Sequence, residues 1–106
     1  IEFVSTDYQS MEVPFTFALN QNYPNPFNPS TNITYVLPEA SNVSLNIYDL
    51  NGQLIRELVS SSVRAGVHTL NWDGTNINGG KVSAGMYLYT INTGKYTSTN
   101  KMILLK

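Results

Sequence analysis

Chemistry needs reactive side chains that can converge, and this sequence supplies few. His68 is its single histidine and cysteine is absent. A zinc site or a nucleophile–base pair would therefore rest on one imidazole, and no acidic residue stands close to it in sequence to orient it. Within Val67-His-Thr-Leu the ring occupies one face of an alternating strand, the pattern of a solvated position. The carboxylates Glu2, Asp7, Glu12, Glu39, Asp49, Glu57 and Asp73 are scattered through turns and tails. No two are spaced to face each other across a cleft, as a glycosidase requires. No catalytic residue is assigned, and the chain is expected not to be an enzyme.

Residues for three binding chemistries are present in part. In Asp73-Gly-Thr-Asn76-Ile-Asn78-Gly-Gly the oxygens of Asp73, Asn76 and Asn78 suit a hard cation such as calcium. The spacing is not that of an EF-hand and no bidentate Glu follows. A plain loop, with Asp and Asn hydrogen-bonding their own backbone, needs the same residues. No metal or cofactor is assigned. Trp72, with Tyr87, Tyr89 and Tyr96, offers a sugar-stacking platform as the alternative binding reading. Yet Trp72 ends an alternating strand, where an aromatic ordinarily covers the mouth of a core. Gly79-Gly80 has neither the Lys-Ser/Thr nor the helix of a phosphate loop.

The elements that would position these groups are strands. With 106 residues the chain is one domain, and 42% hydrophobic against 12% charged residues is a globular balance. A net charge of −1 gives no basic patch for nucleic acid and no polybasic membrane anchor. No apolar run approaches the ~20 residues that span a bilayer. Ile33, Tyr35 and Leu37 alternate with polar partners up to Pro38, and Val43, Leu45 and Ile47 alternate more cleanly still. Asn51-Gly52 predicts a two-residue hairpin into Leu54–Val59, followed by a Ser60-Ser-Ser loop. Ala65-Gly66 turns into Val67–Trp72, Gly85 opens Met86–Ile91, and Tyr96 to Leu105 closes the chain.

About seven short strands and no helix make an all-β fold: an immunoglobulin-like antiparallel β-sandwich without a disulfide. Its expected core is Ile33, Tyr35, Leu37, Val43, Leu45, Ile47, Leu54, Leu58, Leu70, Trp72, Tyr87, Tyr89, Ile91, Met102 and Leu104. Residues 1–15 lack a sustained period and read as a linker from an upstream domain. The first residue is Ile1 and no signal-peptide pattern follows, so the chain is expected to be a piece of a longer polypeptide. A monomer is expected.

Two stretches stand apart. Phe17-Ala-Leu-Asn-Gln-Asn-Tyr23-Pro24-Asn-Pro26-Phe27-Asn-Pro29-Ser-Thr31 is too rich in proline for a helix or a central strand. It still carries Phe17, Leu19, Tyr23 and Phe27, so it reads as an extended strap that buries aromatics at one end of the sandwich. Lys101-Met102-Ile103-Leu104-Leu105-Lys106 is apolar on both strand faces, although terminal residues commonly fray. Either both faces are buried, or one face or edge is offered to a partner.

Phe17 to Thr31 resembles the opening of the C-terminal sorting domain carried by cargo of the type IX (Por) secretion system of Bacteroidetes and related bacteria. The likeness runs on through Ile33–Pro38, Val43–Asp49, Asn51-Gly-Gln, Ala65-Gly, Trp72-Asp-Gly74, Gly85-Met-Tyr87 and Lys101–Lys106. The same module is similar to the immunoglobulin-like domain of flagellar hook-capping proteins. The resemblance implies a non-catalytic sorting domain over residues 16–106 that directs an upstream cargo domain, via the periplasm, to the cell surface or medium. Its implied partners are the outer-membrane translocon and a sortase-like peptidase that cuts between Ile1 and Thr16. By the same resemblance, recognition falls to Tyr23, Pro24, Pro26, Phe27, Pro29, Gly85, Tyr87 and Lys101 to Lys106. The alternatives are an accessory module of a secreted glycoside hydrolase, with Trp72 on polysaccharide, and a hook-cap-like scaffold.

Overall fold

The computed structural model describes residues 16–105. The expected linker over residues 1–15, and Lys106, lie outside them. Among the described residues seven strands follow one another: β1 (Ala18–Leu19), β2 (Thr31–Leu37), β3 (Ser41–Tyr48), β4 (Leu54–Val63), β5 (Gly66–Trp72), β6 (Gly85–Asn92) and β7 (Thr97–Leu104). They form two antiparallel sheets, one ordered β1-β2-β5 and the other β4-β3-β6-β7. The expected immunoglobulin-like sandwich is the observed one.

Alternation builds the core. The central strands turn every second side chain inward, so β2 contributes Ile33, Tyr35 and Leu37, and β3 contributes Val43, Leu45 and Ile47. From β6 come Tyr87, Tyr89 and Ile91, and from β7 Met102 and Leu104. Each such aliphatic side chain stabilises the fold by roughly 1.5–3 kcal/mol relative to exposure. Trp72 closes the end of β5, and the strap adds Leu19 and Phe27, which the strand pattern alone did not place in the core.

Several expectations need correction. The Ser60-Ser-Ser loop does not exist: β4 runs on through it, with Ser60 opposite Ser44, Ser61 opposite Val43 and Ser62 opposite Asn42. Weak local propensity gives way to the ladder that β3 supplies. The turn before β4 is longer than Asn51-Gly52. Asp49 N donates to Gln53 O (3.0 Å) and Gly52 N to Asp49 O (3.1 Å), closing a three-residue loop with Gly52 at φ 83°. The Asp49 carboxylate accepts from Asn51 N and Gln53 N, which favours this wider turn. Leu54 is 47% exposed rather than buried, and Leu58 and Leu70 are only half-buried. Register shifts against β3 leave Ile55 and Leu58 as extra residues on β4, so its side-chain alternation breaks. His68 is half-buried and lies beside Tyr35 (ring centroids 5.4 Å), with Nε2 2.8 Å from Arg64 O.

Candidate functional site

The strap crosses one end of the sandwich and is fastened there by backbone groups. Phe27 N donates to Ile103 O (2.9 Å), and Leu105 N donates to Phe27 O (2.8 Å). Phe27 and Leu104 thus form an isolated parallel bridge on the outer edge of β7. Asn25 Oδ1 accepts from Ile103 N (3.0 Å), and Gln21 Nε2 donates to Lys101 O (2.7 Å). The Phe27 ring enters the core against Trp72 at 5.7 Å between centroids, and Trp72 meets Tyr87 edge-on at 5.5 Å. On the other side of β7, Gly85, Met86 and Tyr87 of β6 stand opposite Leu104, Ile103 and Met102. Three stretches, the first and last of them about 80 positions apart in sequence, therefore meet at one end.

Within that cluster the roles divide by burial. Phe27, Tyr87, Met102 and Leu104 are buried, so they shape the surface without presenting themselves. Tyr87 donates its hydroxyl to Ser83 O (2.6 Å), and burial raises its phenol pKa above the ordinary value. Pro24, Pro26, Pro29, Gly85 and Lys101 are exposed, as are Ile103 (37%) and Leu105 (50%). The terminal strand is accordingly not buried on both faces: among the described residues Met102 and Leu104 face the core, while Ile103 and Leu105 face outward. Tyr23 departs from the buried strap aromatics: it is 79% exposed, its backbone bridging to Asn32.

A cleft of about 90 Å³ opens between the strap and the Trp72-Asp-Gly74 turn, lined in part by Asn28, Pro29, Asp73, Lys81, Leu104 and Leu105. Gly74 lets these elements approach. Its φ is +77°, and a Cβ there would stand 3.2 Å from Pro29 O and 3.7 Å from Leu104. The Thr75 hydroxyl donates to Asp73 Oδ1 and holds that carboxyl below the usual carboxylate range.

The calcium and sugar candidates take different parts. Asn76 Oδ1 accepts from Asn78 N and Gly80 N (both 3.0 Å), so it is engaged within its own loop. Among the described residues, no group of three or more His, Cys, Asp or Glu side chains is placed to hold a metal ion. Trp72 is 1% exposed and donates Nε1–H to Thr75 O (2.9 Å), so its ring presents no face for a sugar to stack on.

One group escaped sequence reasoning. Asn22 and Thr31 are buried polar residues. Asn22 Nδ2 donates to Thr31 Oγ1 (3.0 Å) and to Pro24 O (3.1 Å), and Thr31 Oγ1 donates to Pro24 O (2.8 Å). Asn22 N donates to the Tyr89 hydroxyl (2.8 Å), which donates to Asn20 O (2.7 Å). Asn100 Nδ2 reaches Leu19 O at 3.0 Å. These bonds tie the strap to both sheets. The available signal was the shortage of N–H donors in a proline-rich segment, whose carbonyls then need side-chain partners.

Comparison with known proteins places this arrangement. The family described as the FlgD Ig-like domain matches residues 27–97. The basal-body rod modification protein FlgD of Salmonella typhimurium (strain LT2) is 42% identical over 48 residues, covering 45% of this chain and 21% of that protein. The chain thus aligns with about a fifth of the length of that curated relative. Among solved structures, dimeric latent PorU from Porphyromonas gingivalis is similar with a TM-score of 0.63 at 25% identity, over 84% of this chain and 9% of PorU. PorZ of the same organism, described as an essential surface component of the type IX secretion system, shares the fold with a TM-score of 0.58 at 17% identity, over 81% of this chain and 11% of PorZ. FlgD from Xanthomonas campestris, whose structure is described in terms of hook capping, gives a TM-score of 0.55 at 26% identity, over 86% of this chain and 63% of that one. With the family matched from the strap's Phe27 to the start of β7, this chain belongs to the FlgD Ig-like domain family.

Proposed function

We infer that residues 16–106 act as a sorting domain that directs a protein joined upstream through the type IX secretion system to the cell surface or medium. One observation carries this reading: the strap, the Gly85–Tyr87 segment and the terminal strand meet in one surface around Ile103 and Leu105. Exposed apolar side chains on an ordered edge strand suit a partner that must read a folded domain. The likeness to PorU and the fold shared with PorZ support the same system. In this reading the chain is signal and substrate. The outer-membrane translocon binds it, and a sortase-like peptidase cuts before Thr16.

The test is a reporter joined to residues 1–106 in a bacterium with a type IX system. The reporter is expected outside the cell. The joint substitution Lys101→Ser, Ile103→Ser and Leu105→Ser is expected to keep the melting temperature while the reporter stalls in the periplasm. Normal export from that variant and from a chain lacking residues 101–106 would overturn the reading.

A second reading, a structural module of hook-cap type, is favoured by the 42% identity to the Salmonella protein. Residues 16–106 grafted in place of that protein's matching domain would then restore swimming. A non-motile graft carrying a folded domain would remove this reading.

A further inference from the structure

Four sheet edges need protection from stray pairing, and three of them have it. The β7 edge is covered by the strap at Ile103 and Leu105. β1 is two residues long. β4 carries two irregularities, Arg56 and Glu57, and Ile55 O already accepts from Ile77 N (3.0 Å). Among the described residues the fourth edge, β5, has none of these devices. It pairs with β2 in unbroken register over seven residues, contains no proline, and has His68 as its one titratable side chain. Its outer face shows Val67 at 57% exposure, and His68 and Leu70 on the inner face are only half-buried.

We propose that β5 is the dimer interface of this domain, pairing antiparallel with β5 of a second copy about a two-fold axis at Thr69. Side-chain parity allows only registers that keep inner residues opposite inner residues. Of those, the register centred on Thr69 pairs all seven residues: Val67 with Asn71, His68 with Leu70, and Gly66 with Trp72 of the other copy. Registers centred on His68 or Leu70 shorten the ladder, and the former sets two imidazoles face to face.

The chosen register is also complementary in charge. It sets Ala65 opposite Asp73 of the other copy, so Arg64 reaches the acidic rim formed there by Asp73 and Glu57. Those two carboxylates line a gap of about 250 Å³ between the β4 and β5 edges. The third charged group in that gap, Arg56, donates to Thr75 Oγ1 (2.7 Å) and Asn76 O (3.1 Å) and offsets part of the acidic charge, leaving the gap with one net negative charge for Arg64. Among the described residues the ion pair formed is Lys95–Glu39, and Arg64 pairs with no carboxylate there. Two symmetric Arg64–Asp73 contacts would flank the new ladder. The Thr34–Thr69 hydroxyl bond (2.9 Å) would continue across the axis as a row of four threonines.

Sedimentation of the 106-residue chain from micromolar to ~1 mM should show a concentration-dependent dimer, the range in which a modest interface saturates. Thr69→Cys, at an exposed position, should give a disulfide-linked dimer on mild oxidation. Val67→Cys alone should not, whereas a mixture of Val67→Cys and Asn71→Cys chains should cross-link. Arg64→Glu should weaken dimerisation about 10-fold, and Arg64→Glu with Asp73→Lys should restore it. A chain that stays monomeric throughout overturns the proposal. So does a dimer in which the introduced thiols at position 69 never join.

Discussion

The edges of β7 and β5 pose the same physical problem and differ in how the chain meets it. Each ends a sheet and presents unpaired backbone groups. At β7 the strap satisfies Ile103 and Leu105 with its own backbone and sinks Phe27 into the core beside them. At β5 nothing from the described chain does the same. The difference teaches that the strap is an intramolecular stand-in for an eighth strand. It is held by one buried ring and a few hydrogen bonds, not by a continuous ladder.

In that arrangement the anchoring ring matters most. Phe27→Ala removes the ring between the strap and Trp72, and should cost about 3–5 kcal/mol, read as a lower denaturation midpoint in urea. A loss below about 1 kcal/mol would mean the strap is held without its anchor. Gly74→Ala comes next. It forces a Cβ into positive φ against Pro29 O, and should destabilise by about 1–3 kcal/mol. An unchanged melting temperature would show that the strap can shift away from the turn.

Asn25→Ala tests the edge bond itself. Losing the acceptor for Ile103 N should cost about 0.5–1.5 kcal/mol and speed hydrogen exchange at that amide. Tyr23→Ala, in the same strap but solvated, should stay within about 0.5 kcal/mol of the parent. Equal losses at residues 23 and 27 would erase the distinction between anchor and surface.

The smallest effect is a slope with pH. Burial raises the pKa of Tyr89, opposed by hydrogen bonds from Asn100 and the Asn22 backbone. Burial raises Tyr35 as well. Unfolded phenols titrate near about 10, so the unfolded state releases these protons first. Stability present below that pH is then lost as pH rises through the folded values. Urea midpoints measured between about pH 9 and about pH 11 should fall, and Tyr89→Phe should flatten the fall. A flat profile in the parent would show that these rings ionise as readily folded as unfolded.

The sequence by itself determined the layer structure and most of the core. Ile33, Tyr35, Leu37, Val43, Leu45, Ile47, Tyr89, Ile91 and Met102 are buried because period-two alternation is a local property that any antiparallel sandwich must honour. It also marked the strap and the terminal run as unusual, since proline content and an apolar ending are visible without a fold. Only the tertiary structure decided what those stretches do. Phe27 and Tyr23 are both strap aromatics, yet one is buried and the other solvated, because only Phe27 lies where Trp72 and Tyr87 leave room. Ser60 to Ser62 became strand because β3 offered partners, against what the serines favour alone. Met102 and Ile103 are neighbours of equal apolarity, separated by which sheet face has a second layer above it. The Asn25–Ile103 and Asn100–Leu19 bonds join positions about 80 residues apart. Such pairings depend on where the folded sheets bring the chain, which no local pattern of residues encodes.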